Sequence, residues 1–163
     1  MRDLVYGASD GIVTTFAVVA GTAGGALSPA VVLIIGAANL AADGLSMGVG
    51  NFLSIRADES AREASALPEE EASPVRHGVA TFLAFVAAGG LPLLPYMVDG
   101  APRNQDVGSA VVAMSELFCV GALRTTVTAG TWWKVGLEVL TLGVIVGAAA
   151  YAAGALAAAA LGS

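Results

Sequence analysis

The sequence is poor in charge. Of 163 residues, seven are Lys or Arg and thirteen are Asp or Glu, so 12% of the chain is charged, against roughly 25% in an average soluble domain. So few charges cannot cover a soluble globule of this size, which excludes a cytosolic enzyme and a disordered chain. Basic residues are the scarcer kind, and a net charge of −6 removes the positive footprint on which nucleic-acid binding depends. The one cysteine, Cys119, rules out an intrachain disulfide. There is one histidine, and no P-loop, Cys-x-x-Cys pair or nucleophile elbow. The reading is therefore no enzyme and no ATP-driven pump, and uphill movement of a solute would draw on an ion gradient. What the chain does have is apolar: 56% hydrophobic residues, 21 glycines and a mean hydropathy of +0.79. The expected class is an integral protein of the lipid bilayer.

A spanning helix needs about 20 mostly apolar residues. Five stretches meet or approach that length, at about 7–26, 29–56, 77–98, 107–123 and 133–161. Ser28 and Pro29 suit the N-cap and first position of the second helix. Pro92 and Pro95 are expected to kink or end the third. The first segment does not read as a cleavable signal peptide, because it lacks a basic leader, carries Asp10 and is followed at once by another span. With the N-terminus inside, Arg2, Arg56, Arg62, Arg76, Arg124 and Lys134 are cytoplasmic and only Arg103 is outside. This split predicts an all-α, five-span protein, residues 1–163 as a single transmembrane domain, with its C-terminus outside.

Residues 57–76 are the one sizeable polar stretch. They hold Asp58, Glu59, Glu63, Glu69, Glu70 and Glu71 against Arg62 and Arg76, a net of −4. The first part has good helix formers that can prolong the second helix until Pro68 ends it. The stretch reads either as a solvated acidic linker or as an electronegative vestibule that concentrates cations.

Four carboxylates fall inside predicted spans: Asp10, Asp43, Glu116 and Glu138. An ionisable group at bilayer depth costs roughly 2.5–3.5 kcal/mol on insertion scales, so it faces protein or water and marks an ion path. No basic residue shares their mid-span depth. Asn39, Asp43 and Met47 recur every fourth residue and form one stripe, which Asn51 extends. A carbonyl oxygen, a carboxylate and a thioether together suit a first-row transition metal better than Na⁺, Mg²⁺ or Ca²⁺. Gly44 and Gly48 run beside the stripe and permit close approach of another helix. Asp10 is either a helix-terminal cap or part of that path. Glu138, one turn beyond Lys134, is either an ion pair or a proton-relay group, whereas Glu116 lacks a neighbouring cation and reads as a relay candidate. Met47 and Asn39 also admit plain readings, as apolar filling and an interhelical hydrogen bond. His77 opens the third span as an interfacial residue.

RDLVYGASDGIVTTFAVVAG, NLAADGLSMGVGNFLS, ATFLAFVAAGGLPLLPY and GLEVLTLG together resemble the vacuolar iron transporter family. The resemblance implies a five-helix protomer and a homodimer that moves Fe²⁺, and often Mn²⁺, out of the cytoplasm in exchange for protons. It implies a path at the dimer interface lined by the first two helices of each copy. The family's SDG aspartate falls on Asp10 and its SMG methionine on Met47. Where many members have a glutamate this chain has Asn39, and Asp43, one turn on, supplies a carboxylate at a shifted depth. Members also carry a longer cytoplasmic metal-binding domain between the second and third spans. Here residues 57–76 replace it, with Glu59 and Glu63 as the remnant of a capture site.

The expected function is a proton-coupled exporter of divalent metal, with the metal as cargo and no resident cofactor. A non-transporting scaffold and a passive cation channel on the same fold are the alternatives. The expected location is a prokaryotic plasma membrane.

Overall fold

The computed structural model describes residues 2–68, 73–98, 102–126 and 130–162. They form α1 (Arg2–Gly24), α2 (Pro29–Ala64), α3 (Pro74–Gly90), a 3₁₀ segment (Leu91–Met97), α4 (Pro102–Arg124) and α5 (Trp132–Leu161). No strand occurs among the described residues, and five helical segments are long and apolar enough to cross a membrane. Glu69, Glu70 and Glu71 of the acidic stretch lie outside the described residues.

Most helix boundaries have local causes. Pro29 and Pro74 occupy the first turns of α2 and α3, where the missing N–H costs nothing. Ser28 has the extended backbone of an N-cap, but its side chain makes no capping hydrogen bond. α4 begins at Pro102, ahead of the expected apolar start, because Arg103, Asn104, Gln105 and Asp106 are helical without being apolar. Past Gly90 the third span tightens into 3₁₀ geometry over Leu91–Met97, where Pro92 and Pro95 lack the amide hydrogens that α-helical pairing requires.

α1 and α2 end in the same way. Leu27 N–H reaches Thr22 C=O and Ala26 N–H reaches Ala23 C=O; Leu67 N–H reaches Arg62 C=O and Ala66 N–H reaches Glu63 C=O. This is the paired Schellman pattern, in which the residue after the cap is left-handed and usually glycine. Here alanine takes the position twice, with φ 54° at Ala26 and 52° at Ala66. α2 has 36 residues and is therefore about 54 Å long at 1.5 Å per residue. That exceeds the roughly 30 Å hydrocarbon core, so one end of α2 stands clear of it.

α1 is the central helix, packed by α3, α5, α4 and α2. One apolar cluster joins Val19 of α1 to Val32, Leu40, Phe85, Leu93 and Tyr96. A second joins Ile12 and Phe16 to Ala113, Leu117 and Val139. At the end where the 3₁₀ segment meets α4, Tyr96 Oη donates to Asp106 Oδ1 at 2.5 Å and Gln105 Nε2 donates to the Val98 carbonyl at 2.8 Å.

Glycines set how closely the helices meet. α3 lies between α1 and α2. A Cβ on Gly7 would sit 2.6 Å from the Thr81 carbonyl oxygen, and one on Gly48 would sit 2.9 Å from that of Gly78. Gly36, Leu40, Gly44 and Gly48 are the buried stripe of α2. The opposite face, including Ile34, Ile35, Leu45, Val49 and Leu53, is exposed in the single chain.

Candidate metal path

Asp10 on α1 lies near enough to the Asp43 carboxylate on α2 for that charge to bear on it. Asp10 is exposed and Asp43 half-buried. Asn39, Asp43 and Met47 form the half-buried flank of α2, one step round the helix from its buried glycine stripe. Met47 packs against the cluster containing Leu40 and Phe85, so its thioether borders both the core and the acidic flank. Asn39 Nδ2 is buried with no hydrogen-bond partner. An amide N–H left in that state costs roughly 1–3 kcal/mol. Thr14 Oγ1 donates to the Asp10 carbonyl at 2.7 Å, returning its hydroxyl to the helix and leaving the Asp10 carboxylate without that donor. α1 continues well before Asp10, so Asp10 is not a helix-terminal cap.

The donor set is two carboxylates, an amide and a thioether. Among the described residues no group of three or more His, Cys, Asp or Glu side chains is placed to hold a metal within one chain.

Asn51 leaves the stripe and turns into the bundle. Its Nδ2 donates to Thr81 Oγ1 at 2.7 Å and to Asp3 Oδ1 at 3.1 Å, and lies 3.4 Å from the His77 carbonyl. His77 Nδ1 meets Asp3 Oδ2 at 2.7 Å, and Thr81 Oγ1 donates to the His77 carbonyl at 3.0 Å. This polar cluster joins α1, α2 and α3. Sequence reading placed His77 at the interface and did not single out Asp3 or Thr81. The available signal was a lone histidine at the head of one span and an aspartate at the head of another.

The remaining candidates are dispersed. Both carboxylate oxygens of Glu116 on α4 are buried without a hydrogen-bond partner, as are Thr15 Oγ1 and Ser109 Oγ. Glu138 on α5 is exposed. Lys134 lies over the Trp133 ring at 5.5 Å, and no ion pair forms between Lys134 and Glu138 among the described residues. Glu59 is half-buried and Glu63 exposed, one turn apart near the end of α2. Arg62 Nε donates to the Pro68 carbonyl at 3.2 Å beside them.

Comparison with known proteins gives the family. The model of the VIT family matches residues 1–72 and 60–155, two pieces that meet in the acidic stretch after α2. Vacuolar iron transporter 1 of Arabidopsis thaliana is 27% identical, over 93% of this chain and 83% of its own. Vacuolar iron transporter 1 of Eucalyptus grandis is 26% identical, over 93% of this chain and 84% of its own. The vacuolar iron transporter of Toxoplasma gondii is 46% identical over a shorter region, 43% of this chain and 23% of its own. With the matched residues spanning nearly the whole bundle, the chain belongs to the VIT family.

Proposed function

We propose that the chain is a proton-coupled transporter that moves divalent transition metal, Fe²⁺ first and Mn²⁺ as a second cargo, out of the cytoplasm. The observation that carries this reading is the nearness of the Asp10 and Asp43 carboxylates on the edge of an apolar face that one chain leaves uncovered. A carboxylate facing lipid would cost several kcal/mol. A second copy of the chain relieves that cost and doubles the donor set to four carboxylates, two Asn39 amides and two Met47 thioethers. The homodimer is therefore part of the proposal, with N-termini inside and C-termini outside as the basic residues favour. The names of the VIT relatives support iron as the cargo.

Metal and protons compete for the same carboxylates, and that competition is the coupling. Metal entering from the cytoplasm displaces protons from Asp10 and Asp43, and protons arriving from the far side release it. Glu116, whose carboxylate oxygens are buried with no partner among the described residues, is the first candidate relay for those protons, and exposed Glu138 the second. Glu59 and Glu63, with the acidic stretch, gather cations at the mouth. The relatives are named as vacuolar, so the prokaryotic plasma membrane expected from composition draws no support from them; the proposal is an integral membrane protein.

Fe²⁺ uptake into inside-out vesicles tests the assignment. Asp43→Ala and Met47→Ala each abolish it if the path is as described. Uptake unchanged in both variants contradicts the reading. Metal movement without proton counterflow favours the passive channel.

A further inference from the structure

The polar cluster at the start of α1 and α3 has no part in the metal path just described, yet it is the one set of side-chain hydrogen bonds among the described residues that joins α1, α2 and α3. α1 and α3 advance in step from it: Asp3 meets His77, Gly7 meets Thr81, and Gly11 meets Phe85. α2 runs the opposite way along α3, with Gly48 against Gly78, Gly44 against Phe82, and Gly36 against Leu93. Glycine contacts allow close approach but carry no directional preference along the helix axis. Hydrogen bonds do. The Asn51–Asp3 bond spans α1 and α2 directly. His77 holds the other oxygen of the same carboxylate, and Thr81 holds the same amide.

Counting away from that bond fixes the levels of the two acidic residues. Asp10 is seven residues beyond Asp3 and Asp43 is eight residues before Asn51, so they stand about 10.5 and 12 Å along their helices at 1.5 Å per residue. Asp10 falls about 20° short of two full turns from Asp3, on the same face, and Asp43 about 80° beyond two turns from Asn51, on the adjoining flank. A one-residue slip of α2 would rotate Asp43 by about 100° and remove it from Asp10.

We propose that Asp3, Asn51 and His77 are positioning residues: a hydrogen-bonded clasp that sets the register of α1 against α2 and so places Asp10 opposite Asp43. The clasp touches no metal. It rests on the transport reading only for the use to which the paired carboxylates are put.

The test uses the full chain in lipid with Cys119 replaced by alanine and cysteines at the two acidic positions, Asp10→Cys and Asp43→Cys. A short bis-maleimide bridges them, and bridged monomer is counted by intact mass. Bridging is expected in this background and is expected to fall to the level of single-cysteine controls when Asn51→Ala is added. His77→Phe, which keeps the ring volume, lowers it as well. Asn51→Gln, which keeps an amide donor, retains more bridging than Asn51→Ala. Bridging undiminished by Asn51→Ala or by His77→Phe overturns the clasp. In the chain with its native acidic residues, the clasp predicts that Asn51→Ala raises the metal KM. If the native chain moves no metal while bridging still follows the clasp, the transport reading falls and the register assignment stands.

Discussion

Gly48 and Gly78 meet backbone to backbone. A methyl group on Gly78 would lie 2.6 Å from the Gly48 carbonyl oxygen, and one on Gly48 would lie 2.9 Å from that of Gly78. The obstacle on each side is a carbonyl held in a helix, which cannot rotate away. Gly78→Ala is therefore expected to separate α2 from α3 and destabilise the bundle by roughly 1–3 kcal/mol, the usual cost of overpacking. Gly50→Ala, where an added Cβ meets nothing within 4 Å, is the contrast: in a helix it gains up to about 1 kcal/mol of propensity. Thermal unfolding of both variants in one detergent checks the difference.

Ala66 holds the left-handed position that ends α2, with φ 52°. Alanine there gives up roughly 1–2 kcal/mol that glycine would not. Ala66→Gly is expected to stabilise the end of α2, less the entropy that glycine adds to the unfolded chain, for a net gain of about 0.5–1 kcal/mol. Hydrogen exchange of the amides of Ser65, Ala66 and Leu67 reads the change directly, and slower exchange is the expected result.

Glu116 carries two buried carboxylate oxygens without a partner among the described residues. Glu116→Gln keeps the shape and removes the titratable proton. In proteoliposomes the variant is expected to bind metal as the native protein does while the accompanying proton flux falls. Proton flux equal to that of the native chain would remove Glu116 from the relay.

Much of the architecture is legible in the sequence because a bilayer leaves few choices: apolar runs of sufficient length, separated by prolines and charges, must be helices. The change to 3₁₀ geometry at Pro92 and Pro95 and the end of α2 before Pro68 follow from single residues. Helix starts were less legible. The first turns of α1 and α4 hold Asp3 and Arg103, and hydropathy does not register a polar helix end that clears the hydrocarbon. In the candidate path, the spacing of Asn39, Asp43 and Met47 was enough to put them on one flank. That Asp10 and Asp43 come near one another was not, since it depends on the register of two helices that are held to a third. Asn51 shows the limit most plainly. Its spacing continues the stripe, but Asp3 and Thr81 draw it inward, and no periodicity in α2 alone can show a partner on α1.

The central claim is that bound metal and protons exchange at the carboxylates of Asp10 and Asp43. Metal-driven proton flux in proteoliposomes tests it most directly, with Fe²⁺ and Mn²⁺ applied separately to the native chain and to Asp10→Asn and Asp43→Asn. The prediction is proton movement opposite to the metal in the native chain, and in each variant a fall of at least about tenfold, the change that 1.4 kcal/mol of lost interaction produces. Metal uptake without proton movement in the native chain, or flux unaltered in both variants, would contradict it.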